Sequence, residues 1–170
     1  MSMLYPKYRF DSITQITAQD LRKMGVLGIA VDLDNTTAID HTDIPLEGAV
    51  EWVLQMKQEG FKVLLLTNAK KDRARSFSKI LGNIDYIGFS CKPLRTAYIR
   101  AKRAMGLKSN QVAMIGDQLF TDILGANLAG MVSIYVTPFE MEKRGGKSFE
   151  VRRDLEQKIF ERMDAGVTKK

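Results

Sequence analysis

Apolar runs of strand length alternate along the chain with segments that have the period of an amphipathic helix. The runs lie at 28–33, 61–66, 86–89, 111–115 and 131–136. Glycine follows several of the helical segments, where it is favoured as a helix stop, as at Gly60 and Gly106. Such alternation is typical of a parallel sheet with helices on both faces. The sequence therefore predicts an α/β fold with a sheet of about five strands.

The length of the chain fits one folded unit. We expect a single domain over 1–170, with a core at about 10–138 and a last helix at about 148–163. The polar segment 140–147 is expected to be a loop before that helix. Near the start, Thr17 is a plausible N-cap of a short helix.

Polar side chains follow four of the predicted strands. In parallel α/β sheets, ligands bind at the carboxyl ends of the strands. The residues at these positions are Asp32, Asp34, Asn35 and Thr36 after the first strand, Thr67 and Asn68 after the second, Ser90, Cys91 and Lys92 after the third, and Asp117 and Asp122 after the fourth. Because these ends share one edge of the sheet, the residues are expected to form one site.

Converging carboxylates at this edge point to a metal ion. Carboxylates that share a site repel one another, and the repulsion raises the pKa of at least one of them. Mg²⁺ relieves the repulsion, since it prefers oxygen ligands and often takes one or two carboxylates together with phosphate oxygens. Asp32 and Asp117 can offer carboxylates and Asp34 its backbone carbonyl. We therefore expect Mg²⁺ as cofactor.

Two acids in the stretch VDLDNTT have the spacing for phosphoryl transfer. Side chains two residues apart on an extended chain point the same way, so Asp32 and Asp34 reach one site. One carboxylate can attack phosphorus, and the other can protonate the leaving oxygen and then deprotonate water. Lys92 can stabilise the charge. The Thr67 hydroxyl and the N–H groups around Leu33 and Asn68 can donate hydrogen bonds to phosphate.

Four motifs in order resemble those of the haloacid dehalogenase (HAD) phosphohydrolases, and in particular the YqeG-like phosphatases of subfamily IIIA. They are DLDNT at 32–36, LLLTNA at 64–69, the lysine of CKP at 92 and GDQLFTD at 116–122. The resemblance covers about 10–138. Thr37 departs from the pattern, since many relatives carry leucine there, and this difference concerns the loop that leaves the site.

The resemblance implies a role for each motif residue. It implies that Asp32 is the nucleophile, Asp34 the general acid/base, Thr67 a phosphate ligand and Lys92 the residue that stabilises charge. The implied phosphate-binding residues are Asp32, Leu33, Thr67, Asn68 and Lys92. The implied Mg²⁺ ligands are Asp32, Asp34 and Asp117, with Asp122 orienting them from behind.

The order of the motifs distinguishes this chain from receiver domains, which share an α/β plan with acids, a threonine and a lysine. In receivers the phosphorylated aspartate follows the third strand and the lysine follows the last one. Here the acid pair follows the first strand, and a further acid pair comes after the lysine. About ten residues, 37–46, are left over after the first motif, so we expect a HAD-like Rossmannoid fold without a cap domain.

Some of these residues also have plain structural interpretations. The aspartates can serve as caps and turn formers, and Lys92 alone would be a surface lysine. His41 is expected to be a solvated loop residue that could overhang the site, and Cys91 an inert packing residue. The basic residues Lys70, Lys71, Arg73 and Arg75 form either a rim that attracts anions or a solvated helix face.

Composition narrows the functional class. The formal net charge of +6 favours anionic partners, and no nucleic-acid signature accompanies it. A single cysteine, no transmembrane run and no signal peptide indicate a cytoplasmic protein.

We expect a Mg²⁺-dependent phosphomonoester phosphatase that forms an aspartyl-phosphate. The phosphorylated substrate is a small molecule, a lipid headgroup or a macromolecule, and peripheral membrane contact and a homo-oligomer stay open. The alternatives are a phosphatidylglycerophosphate-type lipid phosphatase, or an interaction module for a GTPase or ribosome-associated partner.

Overall fold

Six parallel strands form one sheet in the order β1-β6-β5-β2-β3-β4. The computed structural model describes residues 2–139 and 147–167, and the chain divides into two units, Met1–Phe139 and Glu140–Lys170. The sheet lies in the first unit. Its strands are β1 (Tyr8–Phe10), β2 (Gly28–Val31), β3 (Lys62–Leu66), β4 (Asp85–Ile87), β5 (Val112–Gly116) and β6 (Val132–Val136).

Helices connect the strands, and the sheet is buried on both faces. They are α1 (Ala18–Lys23), α2 (Ala49–Gln58), α3 (Lys71–Ile80), α4 (Arg95–Met105) and α5 (Leu124–Leu128), with 3₁₀ turns at Ile13–Gln15 and Ser109–Gln111 and a π-helix at Leu119–Ile123. Alternate side chains of β2 enter two different cores. Ile29 and Val31 pack in the core that includes residues of α1, α2 and α3. Ala30 packs in the core that includes residues of α4 and α5. This burial explains why the strands read as continuous apolar runs.

The predicted α/β architecture is confirmed, with one strand more than expected. The additional strand, β1, pairs with β6 at the edge of the sheet. It has three residues and none of them is buried, so it has no apolar run to mark it. The predicted cap of α1 is also present, because Thr17 and Asp20 form a reciprocal capping box.

The second unit is described only from Lys147 onward. Residues 140–146 of the predicted loop lie outside the described residues. The predicted last helix is present as α6 (Lys147–Val167) and extends four residues beyond the predicted end. That the whole chain acts as one domain stays a prediction. None of the helices in the described part of the chain has the length and apolarity needed to cross a membrane.

No cap domain is inserted between β2 and β3 or between β3 and β4. The chain passes from β2 through a loop and α2 directly to β3, and from β3 through α3 to β4. Every residue of these two connections is described. The prediction of a fold without a cap is therefore confirmed, and the carboxyl edge of the sheet has no lid built from these segments.

Candidate active site

A small cleft with a volume of about 70 Å³ opens at the carboxyl edge of the sheet. Because all six strands are parallel, the segments that follow β2, β3, β4 and β5 meet at this edge. The residues lining the cleft are Asp32, Asp34, Thr67, Asn68, Ala69, Lys92, Gln118 and Thr121. Topology thus brings together side chains that are up to 89 positions apart in the chain.

Lys92 forms two buried ion pairs at the base of this site. Its Nζ lies 2.5 Å from Asp32 Oδ1 and 2.6 Å from Asp122 Oδ1. Burial by itself lowers the pKa of Lys92, but the Asp122 and Asp32 carboxylates raise it above its ordinary value. The lysine is therefore a fixed positive charge beside Asp32.

Three buried carboxylates converge beside this lysine. Oxygens of Asp32, Asp117 and Asp122 all lie within 4.8 Å of one another. Burial raises the pKa of Asp32 to about 7, Lys92 opposes this rise, and Asp122 adds to it. A group of buried carboxylate oxygens is the donor set that Mg²⁺ prefers, and a divalent cation would favour their ionised forms. The residues present therefore fit a magnesium ion.

Asp34 has different surroundings, although it is only two residues from Asp32. Its carboxylate accepts two hydrogen bonds from Arg73, at 2.9 Å from Nη1 and 2.8 Å from Nη2. The backbone N–H of His41 donates a third, at 2.9 Å. The Asp34 side chain is 21% exposed, so it lies at the rim of the site. The His41 side chain is 72% exposed, in agreement with a solvated loop histidine.

The turn after β2 is stabilised by its own polar residues. Thr37 Oγ1 donates to the carbonyl oxygens of Asp32, at 2.9 Å, and Leu33, at 3.2 Å. Asn35 has a φ of 57°, a left-handed conformation that asparagine tolerates better than most residues. The threonine that departs from the family pattern thus closes the turn that carries both acids.

Asn68 connects the loop after β3 to the loop that carries Lys92. Its side chain donates to Lys92 O at 3.0 Å and accepts from Lys92 N at 2.7 Å. Ser90 Oγ donates to the same amide oxygen at 2.9 Å. The backbone N–H of Asn68 was predicted to donate to phosphate, whereas these side-chain contacts with Lys92 and Ser90 were not predicted from the sequence.

Glycine and the π-helix allow Asp122 to approach the sheet. A Cβ atom on Gly116 would overlap the Asp122 carboxyl group. The N–H of Gln118 donates to Asp122 Oδ2 at 3.2 Å. The first turn after β5 is a π-helix, a variant that occurs frequently at functional sites. The regular α-helix α5 therefore begins only at Leu124, a detail that apolar periodicity does not reveal.

The predicted site residues are found in two groups. Asp32, Asp34, Thr67, Asn68 and Lys92 line the cleft. Leu33, Asp117 and Asp122 are fully buried and do not line it. In the sequence, Arg73 was only one of several basic residues after the second motif, and no role was predicted for Gln118 or Thr121. Cys91, expected to be a packing residue, is exposed, so that prediction is wrong.

Comparisons with known proteins show the family of this chain. A model of the haloacid dehalogenase-like hydrolases matches residues 7–130. The chain belongs to this family. The probable phosphatase YqeG of Bacillus subtilis (strain 168) is 36% identical over 149 residues, which are 88% of this chain and 85% of that protein. The predicted resemblance to YqeG-like HAD proteins is thereby confirmed.

Two solved structures share the HAD fold with this chain. An uncharacterized protein from Listeria monocytogenes serotype 4b has a TM-score of 0.56 at 20% identity, covering 72% of this chain and 88% of that one. The cobalt-bound deoxy-D-mannose-octulosonate 8-phosphate phosphatase YrbI of Haemophilus influenzae has a TM-score of 0.54 at 15% identity, covering 66% and 69%. At these identities the similarity concerns the fold.

Proposed function

We propose that this HAD hydrolase is a Mg²⁺-dependent phosphomonoester phosphatase that forms an aspartyl-phosphate on Asp32. The observation that carries the proposal is the Asp32 carboxylate, which faces the cleft and lies 2.5 Å from the Lys92 ammonium. Asp34, the proposed proton carrier, lines the same cleft. The similarity to a probable phosphatase supports the same conclusion.

The carboxylates of Asp32 and Asp117 and the backbone carbonyl of Asp34 would hold the magnesium ion. Asp122, which accepts hydrogen bonds from Lys92 and from the Gln118 N–H, would orient this group from behind. When bound, Mg²⁺ supplies positive charge that neutralises the phosphoryl oxygens and keeps the carboxylates ionised. The +6 net charge of the chain also favours an anionic substrate.

Donors for the phosphate are available on two loops. The backbone N–H groups of Leu33 and Asn68 make no hydrogen bond to another residue in the described ranges 2–139 and 147–167. Leu33 is fully buried, and a buried N–H without a partner is rare unless a ligand or water satisfies it. Together with the Thr67 hydroxyl and Lys92, these groups would bind the phosphoryl oxygens.

In the proposed reaction Asp32 is the nucleophile and Asp34 carries the proton. An Asp32 oxygen attacks phosphorus, the bond from phosphorus to the ester oxygen breaks, and Asp34 protonates the departing oxygen. In the second step Asp34 takes a proton from water, the water oxygen attacks phosphorus, and the bond to Asp32 breaks. Lys92 holds the Asp32 carboxylate in place during both steps.

The substrate is expected to be one that an open cleft accepts. Because no cap domain is inserted between β2 and β3 or between β3 and β4, we expect an open cleft in which the leaving group can extend into solvent, as a lipid headgroup or a phosphorylated macromolecule would require. A small phosphorylated metabolite can also place its phosphoryl group in this cleft. A panel of all three classes identifies the substrate by its kcat/KM.

The proposed mechanism is tested by removing the attacking oxygen. Protein with Mg²⁺ is expected to hydrolyse p-nitrophenyl phosphate, and Asp32→Asn is expected to lower kcat by at least about 1,000-fold, because loss of a nucleophile removes the reaction path. Asp85→Asn makes the same change at an exposed aspartate and is the matched control. Circular dichroism checks that each variant folds. Equal turnover by Asp32→Asn and Asp85→Asn would contradict the mechanism.

A further inference from the structure

Arg73 was not predicted as a site residue, yet it contacts the site residue Asp34 directly. It lies in the first turn of α3, and its guanidinium binds Asp34 through two parallel hydrogen bonds of 2.9 and 2.8 Å. This fork geometry matches a carboxylate in position and direction, which a lysine cannot do. The Asp34 and Arg73 side chains are each 21% exposed, so the pair is partly shielded from water.

The same guanidinium also contacts the loop that follows the first motif. Arg73 Nη2 donates to Thr42 O at 2.6 Å, and Nε lies 3.4 Å from Asp43 Oδ1. These contacts attach Arg73 to the loop independently of Asp34. The guanidinium is therefore held from two sides, and the orientation of the Asp34 carboxylate depends on it.

The hydrogen bonds leave one defined position on Asp34 for a proton. Each carboxylate oxygen has two lone pairs. Oδ1 accepts from Arg73 Nη2 and from the His41 N–H, which uses both. Oδ2 accepts only from Arg73 Nη1 among the described residues. Asp34 lines the cleft, and the open lone pair of Oδ2 is the acceptor position that these hydrogen bonds leave for water.

We propose that Arg73 is a positioning residue that holds Asp34 so that Oδ2 accepts the proton of the attacking water. This inference rests on the proposed aspartyl-phosphate mechanism. In that step the water oxygen bonds to phosphorus, and the bond between phosphorus and the Asp32 oxygen breaks. The electron pair of the broken bond returns to the Asp32 carboxylate, and the proton of water moves to Asp34 Oδ2.

The two steps of the reaction differ in how much they need this positioning. With p-nitrophenyl phosphate the departing phenolate is stable without a proton, so formation of the aspartyl-phosphate does not depend on Asp34. Hydrolysis of the intermediate does depend on it. Without Arg73 the carboxylate can rotate away from water, and a misplacement of about 1 Å can lower a rate about 100-fold.

Steady-state and burst kinetics with p-nitrophenyl phosphate and Mg²⁺ test the role of Arg73. For Arg73→Met we expect kcat to fall about 10- to 100-fold while kcat/KM changes by less than about threefold, with a burst of one nitrophenolate per enzyme. Arg73→Lys should restore part of kcat. Arg100→Met removes the same charge from an exposed position of α4 and should leave both constants unchanged.

A double substitution separates positioning from general stabilisation of the fold. If Arg73 acts through Asp34, Arg73→Met should cause no further loss of kcat in protein that already carries Asp34→Asn. Equal losses in kcat and kcat/KM without a burst, or additive losses in the double variant, would overturn the inference while leaving the mechanism intact. Failure of the mechanism itself is detected separately, as equal turnover by the Asp32→Asn variant and its Asp85→Asn control.

Discussion

The surroundings of Asp32 and Asp34 differ sharply, although the two residues leave the same strand end. The Asp32 side chain is 8% exposed and is paired with Lys92 beside two further buried carboxylates. The Asp34 side chain is 21% exposed and is paired with Arg73 from a surface helix. Asp32 thus belongs to the interior of the sheet edge, and Asp34 belongs to its rim.

This difference suits two chemical tasks. A nucleophile benefits from fixed charges in a site with little water, because such charges need no rearrangement during the reaction. A proton carrier must exchange protons with water and with leaving groups, which a position at the rim allows. Two identical side chains can therefore take different roles because their environments differ.

The largest effect within this comparison is expected for Asp34→Asn. The variant keeps the size of the side chain and one acceptor for Arg73, but it cannot carry the proton. We expect kcat to fall about 100- to 10,000-fold, because hydrolysis of the intermediate needs a proton acceptor. The loss in kcat/KM, which reports formation of the aspartyl-phosphate, should be much larger for an alkyl phosphate than for p-nitrophenyl phosphate, whose leaving group needs no proton. Parallel assays measure kcat/KM for both substrates, and equal losses in it would contradict a role in protonating the leaving group.

A second test concerns the pH dependence of magnesium binding at the Asp32 group. Burial raises the pKa of Asp32 to about 7, so below this pH the metal-free carboxyl keeps a proton that Mg²⁺ must displace. The affinity should fall about tenfold per pH unit below pH 7 and level off above it. Calorimetry in buffers of different ionisation enthalpy measures both affinity and proton release. An affinity that is constant across this range would argue against Asp32 as a ligand.

A third test weakens the connection that places Lys92 beside Asp32. Asn68→Ala removes the hydrogen bonds to the backbone of Lys92 and to Ser90. We expect a loss of about 1–2 kcal/mol in the free energy of unfolding and a fall of about tenfold in kcat. Ser90→Ala removes only one of these bonds and should have a smaller effect on both quantities. Urea unfolding and steady-state kinetics give the comparison, and an unchanged kcat in Asn68→Ala would contradict the positioning role.

The smallest effect is expected for His41→Asn. His41 reaches Asp34 through its backbone N–H, and its φ of 54° is one that asparagine also adopts. The variant should retain kcat within about twofold, as for other surface substitutions that keep the backbone. A loss of more than about tenfold would indicate that the imidazole takes part in the reaction, and Asp34 would then depend on a side chain that sequence analysis set aside.

Most residues of the candidate site could be predicted from the sequence, because they lie in short segments directly after apolar strands. Asp32, Thr67, Lys92 and Asp117 could be found from apolar runs and the motifs that follow them. Arg73 could not be singled out, since it is one of several basic residues on a helix with polar composition. The edge strand β1 was missed because it is short and has no buried residue.

The sequence by itself determined the alternation of strands and helices, the order of the motifs and the absence of a cap, because each of these depends on local periodicity and spacing. The tertiary structure alone decided which charge each acid contacts. Lys92 is 60 positions from Asp32, and Arg73 is 39 positions from Asp34. No local sequence pattern therefore predicts either ion pair. Both follow from the parallel order of the strands and from the turn after β2, which directs one acid inward and the other to the rim.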